Sequence, residues 1–63
     1  MFDVVAVSMD TGKVRLMATG KPEGDADSIV TMAVIRRGVD EEFFAAVPHG
    51  RYEEGDDWKG GAD

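Results

Sequence analysis

The stretch FDVVAVSMDTGKVRLMAT, residues 2–19, holds two short apolar runs hinged on a turn. FDVVAVSM, residues 2–9, is rich in β-branched residues and reads as a strand. Asp10-Thr11-Gly12-Lys13 follows, with a glycine available for a positive φ. KVRLMAT then alternates, with Val14, Leu16 and Ala18 on one face and Lys13, Arg15, Met17 and Thr19 on the other. Runs joined by so short a turn pair as an antiparallel hairpin. The only charge of the first run is Asp3. Both its faces are apolar, Phe2, Val4 and Ala6 on one side and Val5, Val7 and Met9 on the other, which suits a central strand.

Beyond the hairpin, GKPEGDA supplies a polar connection in which Asp25 can cap a helix and Asp27 favours its positive end. The spacing predicts a helix over residues 25–37. Ala26, Ile29, Val30, Ala33 and Val34 form its apolar stripe, with Met32 and Ile35 at the margins. Arg36 and Arg37 complement the carbonyl end, and Gly38 suits the C-cap. EEFFAAV then reads as a third strand, Phe43, Ala45 and Val47 facing one way and Glu42, Phe44 and Ala46 the other, and Pro48 ends it. The expectation is an α+β fold: a single ββαβ layer over residues 1–50, a three-stranded antiparallel sheet of order 2-1-3 with one helix on one face. One helix leaves the other apolar face open. The C-terminal segment, a second copy of the chain or a partner protein would have to cover it, so a homodimer is one expectation.

A chain of 63 residues has a core near the lower limit for independent folding, and without cysteine it has neither disulfides nor thiolate metal sites. No apolar run approaches the roughly 20 residues of a membrane span, and MFDVVAVSMD lacks a basic signal-peptide start. A cytoplasmic protein, in a bacterial or phage-infected cell, is expected. Its net charge of −6 is unevenly spread: residues 1–39 balance five acids against five bases, whereas residues 40–63 hold eight acids against Arg51 and Lys59. Such a field repels nucleic-acid phosphate and attracts basic protein surfaces.

Catalytic constellations are absent from the pattern. His49 is the single histidine and stands in Pro48-His49-Gly50, a turn context. Ser8 lies in a strand and Ser28 in a first helical turn, neither a nucleophile elbow. Thr11-Gly12-Lys13 lacks the upstream glycine of a phosphate loop and precedes a strand where that motif needs a helix. Arg36-Arg37-Gly38 sits at a helix end that disfavours anions. Glu53, Glu54, Asp56 and Asp57 lack the alternating spacing of a calcium loop. The expectation is a protein that is not an enzyme and needs neither cofactor nor metal.

The strongest functional feature is RYEEGDDWKGGAD, residues 51–63, an acidic C-terminal segment expected to be partly ordered by Tyr52 and Trp58, with a flexible glycine-rich end. Two readings of the rings stand side by side: anchors in a partner interface, or core aromatics folded on the open sheet face. The two can coexist, with the rings anchoring the segment on the sheet while Glu53, Glu54, Asp56 and Asp57 are held outward. Partner contacts are expected at Glu41, Glu42, Tyr52, Glu53, Glu54, Asp56, Asp57 and Trp58, against a basic protein surface and without direct nucleic-acid binding. In size, acidity and a single small α+β layer the chain resembles the anti-CRISPR and anti-restriction proteins of phages. That resemblance implies a non-enzymatic inhibitor and DNA mimic that occupies the DNA path of a bacterial defence complex, with the mimicry resting on Asp40 to Asp57. The alternative is a small structural homodimer whose acids only confer solubility.

Overall fold

The computed structural model describes residues 1–59; the glycine-rich end expected to be flexible lies outside them. The elements are β1 (Phe2–Ser8), β2 (Val14–Lys21), α1 (Glu23–Arg37) and β3 (Glu42–Pro48). They form a three-stranded sheet of order β2-β1-β3, antiparallel throughout, with α1 on one face. The α+β architecture is the one the alternation and the two-faced first strand predict. Asp3 to Val7 are all buried, which is what a central strand covered on both sides requires.

The two faces are closed differently. Ala6 and Phe44 pack against Ala33 of α1, with Met17 and Val30 at the margin. The small residues Ala26 and Ala33 are the buried positions of the helix. Ile29 and Val30 are half-buried, whereas Val34, expected in the stripe, is 40% exposed and Ile35 is 72% exposed. On the opposite face Val5, Val7, Val14 and Val47 pack around Tyr52, joined by Leu16, Phe43, Ala45 and Trp58. The chain's own C-terminal segment therefore covers the strip for which the sequence offered three candidates. The molecule is a helix, a sheet and an aromatic strap in three layers.

Helix α1 begins two residues earlier than expected. Pro22 occupies the N-cap position with φ −59° and ψ 156°, makes no side-chain cap, and its carbonyl accepts the Ala26 N–H. Proline's fixed φ presets this entry, so Glu23 and Asp25 lie inside the first turn, where their charge still favours the helix dipole. Gly38 does terminate the helix, at φ 73° and ψ −176°, a region essentially closed to side chains. The simple alternation expected for β2 also fails. Leu16 lies opposite Val5, but Ala18 lies opposite Val4, so one extra residue bulges between them. The bulge puts Ala18 on the helix side of the sheet, where Met17 also packs. A second irregularity between Val4 and Phe2 brings Phe2 opposite Lys21.

Because Trp58 is wedged between Phe43 and Tyr52, truncating it should open the strap face of the core. Trp58→Ala is expected to lower the unfolding free energy by about 3 kcal/mol, a large share of the stability of so small a domain. Ile35→Ser, at a solvent-facing helix position, should change it by less than about 0.5 kcal/mol. Urea titration followed by circular dichroism checks both.

Candidate functional site

The acidic segment is held by backbone bonds as well as by rings. After β3 the chain turns at Pro48, whose carbonyl accepts the Arg51 N–H, and crosses the sheet face to the outer edge of β2. There the Val14 N–H donates to the Asp56 carbonyl at 2.7 Å, the Gly55 N–H to the Val14 carbonyl and the Trp58 N–H to the Gly12 carbonyl, both at 2.8 Å. A bridge between Lys13 and Asp57 makes this a short antiparallel pairing. Tyr52 stacks on Trp58 with ring centroids 5.3 Å apart, and Phe43 meets Trp58 edge-on at 5.2 Å. The Tyr52 hydroxyl accepts the Lys59 N–H. Tyr52 is 5% exposed, so its ring is a core aromatic, and Trp58 is half-buried beside it.

The acids expected to meet a partner divide into two sets. Glu42 accepts from Arg15 at 2.9 Å and lies 3.8 Å from Arg37. One Glu54 oxygen accepts the Leu16 N–H, satisfying an edge amide of β2. The Asp56 carboxylate accepts the Glu53 N–H at 2.7 Å and closes a turn around Gly55, whose φ is 87°. Asp57 pairs with Lys13, whose hydrogen bond and charge lower the carboxyl's pKa, with a smaller contribution from the Lys59 charge. Glu54, Asp56 and Asp57 thus contribute to ordering the segment, while Glu42 ties β3 to β2 and α1. Among the described residues the side chains of Glu41 and Glu53 have no hydrogen-bond or ion-pair partner, and both are exposed. Asp56 and Asp57 are exposed as well despite their contacts.

A buried carboxylate that the sequence marks only as an isolated charge organises the other end of the sheet. Asp3 is 2% exposed. Its Oδ1 accepts the Gly20 N–H at 2.9 Å and faces His49 Nδ1 at 2.7 Å, while Oδ2 accepts the Gly50 N–H at 3.0 Å. An ionised carboxylate only accepts, so Nδ1 of His49 carries the proton here. Burial pushes the Asp3 carboxyl upward, but the His49, Gly50 and Gly20 hydrogen bonds and the His49 charge together outweigh it and hold the carboxyl below its usual range. Gly20 and Gly50 have φ of 65° and 81°, conformations in which glycine is unstrained. The signal for this tie is a lone acid within an apolar strand, and His49 is its partner rather than a turn decoration.

Among the described residues no three histidine or carboxylate side chains are placed to hold a metal ion. No helix is long and apolar enough to cross a membrane. An open groove of about 380 Å³ runs between α1 and β2, lined by Met17, Ile29, Met32 and Ala33 with Arg36 and Arg37 at one end.

The Asp3 tie yields a pH signature. A carboxyl whose folded pKa is depressed contributes stability fully above its unfolded value, about 3.9, and loses that contribution as pH falls through the folded value. Asp3→Asn presents an amide donor where acceptors are needed, and should cost about 2 kcal/mol at pH 7. The difference between wild type and variant should shrink as the pH falls below about 4. Urea unfolding at a series of pH values measures it.

No family model matches the chain, and no curated protein or solved structure shows significant similarity to it. Its functional reading rests on its own geometry.

Proposed function

We propose that the protein is a non-enzymatic acidic binding module that docks on a basic protein surface through residues 53–57. The observation that supports this is the strap: an acidic segment pinned on both sides by backbone bonds to β2 and by the Tyr52–Trp58–Phe43 ring cluster. Charges carried on ordered backbone bind with less conformational loss than charges on a free tail. Glu53, Glu54, Asp56 and Asp57 are all exposed on the segment that runs beside β2. Tyr52 and Trp58 position these acids from behind instead of inserting into the partner.

The finer form of this reading is inhibition of a bacterial defence complex by occupation of its DNA path, in the manner of the phage proteins the chain resembles. Its support is the small size, the concentration of acids after residue 39 and their fixed placement. A basic channel built for phosphates accepts an ordered row of carboxylates by the same long-range attraction.

The test is displacement of labelled duplex DNA from purified CRISPR and restriction effector complexes. The expected result is displacement that weakens steeply between about 50 and 200 mM salt. Glu53→Lys combined with Asp57→Lys should abolish it, and Glu53→Lys alone, at an exposed side chain without a partner among the described residues, should weaken it at a nearly unchanged melting temperature, because exposed unpaired charges contribute little to folding. Glu54 and Asp56 are left intact because they close backbone bonds. Failure to displace DNA from any such complex, or displacement that survives the double reversal, would overturn the reading.

A further inference from the structure

Strand β3 lies at the edge of the sheet; β1 pairs with one side of it, and no described residue pairs with the other. Its register with β1 is unbroken from Phe2 opposite Pro48 to Ser8 opposite Glu42. Just beyond its two ends the Met9 N–H donates to the Glu41 carbonyl and the His49 N–H to the Met1 carbonyl. Bonded and non-bonded positions alternate along an antiparallel ladder, so Phe43, Ala45 and Val47 turn their backbone groups toward β1. Glu42, Phe44 and Ala46 turn theirs outward. Pro48 has no N–H, and its carbonyl is taken by the Arg51 N–H, which closes that end.

We propose that a second copy of the chain pairs antiparallel along this edge, about a twofold axis at Phe44, giving a continuous six-stranded sheet. With Phe44 opposite its own copy, Glu42 lies opposite Ala46 of the second copy, and the three outward N–H groups of each chain all meet outward carbonyls. Charge selects this direction. The leading end of β3 follows Asp40 and Glu41 and begins with Glu42, whereas beyond the trailing end His49 turns to Asp3 and Arg51 lies over the Tyr52 ring. Antiparallel self-pairing places the two acidic ends at opposite ends of the seam, whereas parallel pairing sets acid on acid. On the strap side Phe43 lies opposite Ala45 of the second copy, a large side chain facing a small one. The edge lacks the usual protections: no charge points inward along its middle, its register has no bulge, and its proline stands at the end. The C-terminal acids sit on β2, the outermost strand of each half, so the dimer leaves them open; the inference goes beyond the acidic-partner reading and does not rest on it.

Sedimentation equilibrium and amide hydrogen exchange, each over a range of concentrations, test the pairing on the unmodified protein. The expected mass is twice 6.8 kDa, with exchange at the Glu42, Phe44 and Ala46 amides slowing as the dimer fills. Asp40→Lys with Glu41→Lys should raise the dimer dissociation constant by about tenfold or more, at an unchanged circular dichroism spectrum. A mass that stays at 6.8 kDa up to about 1 mM would overturn the inference. So would a dimer in which those three amides still exchange fast, which would place the contact elsewhere. The acid pair reversed here differs from the pair that tests partner binding, so the two ideas fail separately.

Discussion

A central strand buried on both faces is the constraint from which the rest of this fold follows. Val4 and Ala6 face one way, Val5 and Val7 the other, and all four are at most 1% exposed. The described residues supply one helix and one sheet. The chain meets the requirement with a helix of small-residue contacts on one side and a strap of two large rings on the other. Tyr52 and Trp58 suit that second task because each covers a wide area while fixing few torsions. What resembles a polar tail in composition is a structural layer.

The strap can reach that face only because the chain reverses sharply after β3. Asp3 fixes the reversal. Its two oxygens gather the Gly50 N–H and His49 from the turn, and the Gly20 N–H from the irregular end of β2. One buried carboxylate thus ties all three strands at the end remote from the hairpin turn. The cost of burying a charge is offset by three donors arranged around it, two of them on glycines whose backbone adopts the positive φ needed to aim their N–H groups. Apolar strand and polar tie are parts of the same device: the first creates the need for a cover, the second directs the cover into place.

The sheet order and helix were legible because they depend on periodicity and on termini, which a sequence displays directly. Alternation in β1 and β3 and the Gly38 stop survive in the structure. The parts that were not legible depend on tertiary competition. Nothing local in VRLMAT shows that Met17 and Ala18 will both lie on the helix side; that follows from fitting β2 against β1. Asp25 carries the features of a cap, yet Pro22 starts the helix first. The rings at 52 and 58 had two readings because an open apolar face and an absent partner create the same demand, and only the three-dimensional path of the strap separates them. Asp3 was visible as an anomaly, but its donors lie 17, 46 and 47 residues away.

Charge in the last third of the chain serves folding while it stays on the surface. Glu54 and Asp56 each spend an oxygen on a backbone amide, and Asp57 and Glu42 each pair with a base from the neutral first part, Lys13 and Arg15 respectively. A carboxylate that accepts one bond still carries most of its charge toward solvent, so using it internally does not remove it from the surface field. The segment is held in place by some of the same acids that it displays. In a core of this size an outward-facing acidic surface and a stable fold are therefore not separate features: weakening the strap disperses the acids, and neutralising the bonded acids loosens the strap.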